Sequence, residues 1–125
     1  MARKKSYKPH FFESTTSNEH YTRLYDSMLK SDAWKDLNHS SRSVYTILKM
    51  QYKGEYTGET VLCPYKDFQE YGMNTTTIKN AIKDLEEHGF IRCEHGVLVT
   101  GNLHREPNEY RFISEWKDWH PDENL

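Results

Sequence analysis

Between Pro64 and Ile91 the chain reads PYKDFQEYGMNTTTIKNAIKDLEEHGFI, and no other stretch restricts the fold as tightly. Pro64 suits the first position of a helix, where its missing N–H costs nothing. Tyr65, Phe68 and Tyr71 then fall on one helical side. Gly72-Met73-Asn74 interrupts the run, and Asn74 or Thr75 can cap a second helix. In that helix Ile78, Ala81, Ile82 and Leu85 recur at i, i+3, i+4 and i+7, one narrow apolar stripe. His88 and Gly89 close it, with Gly89 able to take the left-handed position after the helix end. Phe90 and Ile91 then open an apolar strand.

Helix, short glycine-containing turn and helix make the helix-turn-helix grammar. The string TTTIKNAIKDLEEHGFI resembles the recognition-helix region of winged-helix DNA-binding domains, in particular small bacterial regulators and proteins of plasmids and conjugative elements. The resemblance covers roughly residues 31 to 113, and its most diagnostic part is the exit Leu85-Glu86-Glu87-His88-Gly89-Phe90-Ile91. It implies a mainly α chain with a small antiparallel β wing, an α+β winged helix-turn-helix.

The flanks are read in the same way. Residues 1–20 lack an apolar period and predict a flexible basic arm carrying Arg3, Lys4, Lys5 and Lys8. The domain runs over 21–114, and 115–125 is an acidic tail. Tyr25, Met28 and Leu29 suit a short helix, and Ser31 can cap a further turn with Trp34 and Leu37, where Trp34 serves as a core anchor. Asn38 caps a helix from His39 to about Tyr52. Its inward face is Val44, Ile47, Leu48 and Tyr52, with Tyr45, Lys49 and the serines turned elsewhere. Thr60 to Cys63 is a small strand, Phe90 to Cys93 the first wing strand, and Glu109 to Ser114 its return. Tyr110 and Phe112 then share a face that packs on the second helix of the pair. Trp116 and Trp119 follow at helical spacing, as a cover for the underside or a contact for another protein.

A chain of 125 residues is one domain. No apolar run approaches the ~20 residues that span a bilayer, and MARKKSYKPH is followed by no apolar segment, so no secretory signal is expected. Two cysteines, Cys63 and Cys93, give no disulfide framework, and a reducing cytoplasm is the default. The net charge of −2 argues against indiscriminate coating of nucleic acid.

Chemistry concentrates on the second helix. Opposite its apolar stripe lie Thr76, Asn80, Lys83 and Glu87, flanked by Lys79 and Thr77. Asn80 has the donor and acceptor for a bidentate pair with adenine, and Lys79 or Lys83 suits guanine or phosphate. Thr75, Thr76 and Thr77 can donate to phosphate beside the free amides of the helix start. Arg105, in the segment Thr100 to Arg105 at the wing tip, is a further contact, and Arg3, Lys4 and Lys5 suit an adjacent minor groove. A solvated tail, a mobile surface loop and an ordinary helix face are the plain alternatives.

One count runs against DNA. From Pro64 to Glu94 the cations are Lys66, Lys79, Lys83 and Arg92 against Asp67, Glu70, Asp84, Glu86, Glu87 and Glu94, a local charge of −2. His88, Cys93, His95 and His104 lie close in sequence but lack paired zinc spacing, and they read as titratable surface residues. No phosphate loop, nucleophile elbow or zinc-protease motif is present, so neither an enzyme nor a cofactor or metal is expected.

The resemblance therefore implies sequence-specific binding of double-stranded DNA, as a transcriptional regulator or as an accessory protein of replication or transfer on a bacterial mobile element. A homodimer or a larger replication or transfer protein is the further partner expected, and no membrane. The alternative is a winged-helix protein-interaction module without DNA readout.

Overall fold

The computed structural model describes residues 20–52, 60–94 and 108–121. Five helices, three strands and one 3₁₀ turn follow in order among them: α1 (Asp26–Leu29), α2 (Asp32–Asp36), α3 (His39–Gln51), β1 (Val61–Cys63), α4 (Tyr65–Gln69), α5 (Thr75–Glu87), β2 (Ile91–Glu94), β3 (Asn108–Phe112) and the 3₁₀ turn Glu115–Asp118. The class is α+β, with the strands in one small antiparallel sheet of order β1-β3-β2. Val61 faces Tyr110 across one ladder, and Ile91 faces Phe112 and Cys93 faces Tyr110 across the other.

Each long helix begins where a side chain satisfies its free amides. Asn38 Oδ1 accepts from the Ser41 amide at 3.1 Å and Asn74 Oδ1 from the Thr77 amide at 2.8 Å. Ser31 Oγ does the same for Trp34 at 3.1 Å. Replacing Asn38 by Ala is expected to cost about 1 kcal/mol in a urea titration, the usual value of such a cap. Pro64 is the residue before α4, not its first turn, with ψ 157°; a proline there fixes φ for the approach while Tyr65 starts the helix.

The far end of α5 is a two-bond stop. The Gly89 amide donates to the Glu86 carbonyl and the Phe90 amide to the Leu85 carbonyl, at 3.1 and 3.0 Å. This pairing needs a left-handed residue, and Gly89 has φ +81°. The chain leaves the stop directly into β2.

α3 and α5 pack on each other, and β2 lies against α5. Ile78, Ala81, Ile82 and Leu85 supply the buried side of α5, as their spacing predicts. Trp34 is also in the core, edge-on to Tyr45 and Phe90 at 5.4 and 5.6 Å between ring centroids.

Three expectations fail here. Tyr45 and Ser41 are buried, not turned outward, while Tyr52, the residue after α3 and expected inward, is 44 % exposed. Phe112 does not pack on α5 with Tyr110: its ring sits edge-on to Tyr45 at 5.4 Å and Tyr52 at 5.9 Å, and Tyr110 meets Phe68 of α4. The cause is strand order. β3 lies between β1 and β2, so its inner face looks toward α3 and α4 while β2 takes the place beside α5. Tyr71 is the third. α4 ends at Gln69, so Tyr71 leaves the helical side it was assigned and stands 58 % exposed in the turn.

Residues 115–121, read as tail, return to the body. Trp116 stacks on Phe90 at 6.0 Å, its amide donates to the Gly89 carbonyl at 3.1 Å, and the Trp119 ring lies 4.6 Å from that of His88. Cys63 is fully buried, and burial followed by the charge of Asp67 pushes its thiol up to about 12. Among the described residues no helix is long and apolar enough to cross a membrane.

Candidate nucleic-acid interface

α4, the turn at Tyr71 to Asn74 and α5 present one continuous outer surface. Gly72 makes the turn possible with φ +86°, and Gln69 Nε2 donates to Thr75 Oγ1 at 3.3 Å, tying the end of α4 to the start of α5. On α5, Thr75, Thr76, Lys79, Asn80 and Lys83 are all exposed, whereas Thr77 is half-buried beside the stripe. Thr76, Lys79 or Asn80, Lys83 and Glu87 therefore form a row along the helix opposite Ile78, Ala81, Ile82 and Leu85. At 13 residues and ~1.5 Å per residue, α5 is roughly 20 Å long. Its diameter of about 10–12 Å with side chains matches the width of a B-form major groove.

Arg105, Arg3, Lys4 and Lys5 lie outside the described residues, as do His95 and His104. Of the four residues weighed as a metal cluster, His88 is buried and Cys93 half-buried, so neither is the surface residue expected. The Cys93 thiol is raised to about 11 by burial, then by Glu86 and Glu94.

Three of the six acids of this region hold fold contacts, which the count of charges in the sequence could not reveal. Asp84 Oδ2 accepts from Ser41 Oγ at 2.6 Å and from the Asn38 amide at 3.2 Å, and Asp84 Oδ1 lies 3.2 Å from His88 Nδ1. Glu86 accepts from the Cys93 amide at 3.0 Å, and Glu94 holds Arg111 at 2.7 Å. Asp84 and Glu94 are half-buried and Glu86 is exposed, and each holds a fold contact. Lys66, Lys79 and Lys83 have no ion pair or hydrogen bond among the described residues. Neutral donors leave Asp84 and Glu86 charged, so the local charge of −2 stands, while on the exposed row itself Lys79 and Lys83 face Glu87 alone.

Lys66 and Gln69 of α4 and Tyr71 of the turn were not among the candidates, and all are exposed, with Gln69 bonded to the first residue of α5. Their signal was available in part: a five-residue helix ending before Glu70 puts 69 to 71 at the helix-to-helix corner. What this surface offers chemically is two or three ammonium groups, a carboxamide, hydroxyls and one ring, with no nucleophile and base held together.

Comparison with protein-family models, curated proteins and solved structures gives no match.

Proposed function

We propose that this chain is a winged helix-turn-helix protein that binds double-stranded DNA by setting the exposed row of α5 into the major groove. The observation that carries the reading is the asymmetry on α5: Lys79, Asn80 and Lys83 point to solvent unpaired among the described residues, while Asp84 and Glu86 are tied to the fold. The order of elements supports it as well. Three helices, a short first strand between the first and second of them, and a hairpin leaving the last helix through Gly89 correspond to α3, β1, α4, α5, β2 and β3. In this reading Asn80 reads a base edge, Lys79 and Lys83 reach guanine or phosphate, and Thr75 and Thr76 fix register on the backbone. The role we infer is that of a regulator or of an accessory protein of replication or transfer on a bacterial mobile element, acting as a homodimer or beside a larger protein.

Selection from a random duplex pool, followed by fluorescence anisotropy on the enriched sequence, tests this. Asn80→Ala is expected to weaken binding about tenfold and to relax preference at one position, as loss of a bidentate base contact does. Lys83→Ala should weaken all duplexes alike and reduce the salt slope by about one. Absence of any enriched sequence, or an Asn80→Ala protein that binds like the parent, overturns the reading and leaves the protein-interaction module.

A further inference from the structure

Residues 115–121 are held to the body in two halves of different chemistry. The inner half rests on contacts that no proton governs near neutrality. The Trp116 amide donates to the Gly89 carbonyl at 3.1 Å, the Trp116 ring stacks on Phe90, and Arg92 pairs with Glu115 at 2.8 Å. The turn then ends: Trp119 has ψ 133°, and its amide makes the last turn bond, to the Trp116 carbonyl at 3.3 Å. Among the described residues no backbone hydrogen bond joins 119–121 to the body beyond that turn. Apart from the apolar contact of Trp119 with the core, two imidazoles hold this outer half. The Trp119 ring lies 4.6 Å from that of His88 at an interplanar angle of 35°, and His120 Nδ1 lies 4.0 Å from Asp32 Oδ2 of α2.

His88 is buried where α2, α5 and this segment meet. Its Nε2 faces the Asp36 carboxylate of α2, and its Nδ1 faces the carbonyl and carboxylate of Asp84, so both nitrogens meet acceptors only. The imidazolium form satisfies that arrangement, and its charge lies against the Trp119 ring, where a cation is attracted. From α3, Ser41 and the Asn38 amide hold the other oxygen of Asp84 as neutral donors. The further charged groups at this junction are Arg42 of α3, which donates to the Trp34 and Lys35 carbonyls of α2, and Asp32 with His120. Burial pulls the pKa of His88 down, and the hydrogen bonds to Asp36 and Asp84 with the charges of both acids carry it above 6.5.

Loss of the proton weakens both attachments in the same sense. One nitrogen of His88 is left with a lone pair against an acceptor oxygen, the charge beside the Trp119 ring vanishes, and a neutral His120 has no charge to offer Asp32. We propose that residues 119–121 form a pH-operated latch, closed on α2 and the end of α5 while His88 carries two protons and released at the Asp118–Trp119 joint as pH rises. The inner half stays docked through Trp116, so release is local. Trp119 is the ring uncovered, half-buried in the closed form and exposed in the released one. The missing cation beside that ring lowers the ratio of docked to released segment about fivefold. The latch does not depend on what α5 binds.

The test is heteronuclear NMR of the full chain over a pH series on both sides of 6.5. The three tryptophans give three indole N–H signals, and Trp119→Phe assigns one of them. In the parent the Trp119 indole and the amides of Trp119 and His120 should shift together with a midpoint above 6.5, and those amides should gain mobility on the nanosecond scale. The Trp34 and Trp116 signals should stay in place. His88→Gln should hold the Trp119 signal at its high-pH position throughout, with the Trp34 signal reporting an intact core. Asp36→Asn alters an exposed side chain and should lower the midpoint, because one charge holding the proton is gone. A Trp119 signal that does not titrate, or that titrates in His88→Gln as in the parent, overturns the latch. Movement of Trp116 together with Trp119 overturns it too, since the whole segment then loosens. An unchanged midpoint in Asp36→Asn does the same, and decides the matter if His88→Gln does not fold.

Discussion

Gly89→Ala is expected to lower stability by about 2–5 kcal/mol. Two independent costs combine. A side chain at φ +81° must tolerate the left-handed region, worth about 1–2 kcal/mol. The added Cβ would also lie 2.7 Å from the Trp116 backbone nitrogen and 2.8 Å from the Glu115 carbonyl carbon. Those atoms are main chain and cannot rotate aside, so the 3₁₀ turn must move, an overpacking cost of about 1–3 kcal/mol. Such a turn shift breaks the bond from the Trp116 amide to the Gly89 carbonyl and lifts Trp116 from Phe90. At ~4 °C per kcal/mol for a chain of this size the melting temperature should fall by roughly 8–20 °C. Gly72→Ala is the control: its φ is +86° but a Cβ there meets nothing within 4 Å, so the loss should stay near 1 kcal/mol. Equal losses at the two glycines would show that the packing of Trp116 does not matter.

His88→Ala should cost about 2–3 kcal/mol, and the parent protein should grow less stable as pH rises from 6.5 through the raised value. His88 Nδ1 lies 2.8 Å from the Asp84 carbonyl oxygen and 3.2 Å from Asp84 Oδ1, and Nε2 lies 2.9 Å from Asp36 Oδ2. Every partner of the ring is an acceptor, so both nitrogens are satisfied only when both carry a proton. Burial pulls the pKa down, but the hydrogen bonds to Asp36 and the Asp84 carbonyl and the charges of both acids outweigh it, and the pKa stands above its ordinary 6.5. A raised folded-state value means that the folded form keeps a proton that the unfolded chain releases. The contribution is complete below 6.5 and is lost as pH climbs through the raised value. Urea midpoints should decline over that interval in the parent and stay flatter in His88→Gln, where the proton is gone. A parent curve as flat as that of the variant would mean that the ring is neutral when folded. The alanine figure follows from hydrogen bonds to charged groups, about 1.5–3 kcal/mol each, with Asp36 regaining water.

These two residues also mark where a sequence is informative. The end of α5 at Gly89 was legible because a helix stop is local: a stripe ending at Leu85, then a glycine, then apolar residues. Asn38 and Asn74 were legible for the same reason, each bonding three residues onward. His88 was not. Its partner Asp36 lies 52 positions away, and nothing in the string LEEHGFI distinguishes a buried histidine from a surface one. Tyr45 was missed because α3 is approached from more than one direction, by Trp34, Phe90 and Phe112 together, so its covered arc is wider than one stripe. The candidate contacts Lys79, Asn80 and Lys83 were placed outward from periodicity alone, whereas the fold contacts of Asp84 and Glu86 depended on α3 and β2, which no count of charges includes.

The position of β3 between β1 and β2 has a consequence for synthesis. A ribosome releases β1 and then β2 while neither has a neighbour to bond with, because residues 108–112 emerge after both. Until then the nascent chain carries two lone edges and a helical part waiting for its floor. One late segment supplies a strand to both ladders, so no strand pairing precedes it, and a chain cut short before that segment would lose the whole sheet.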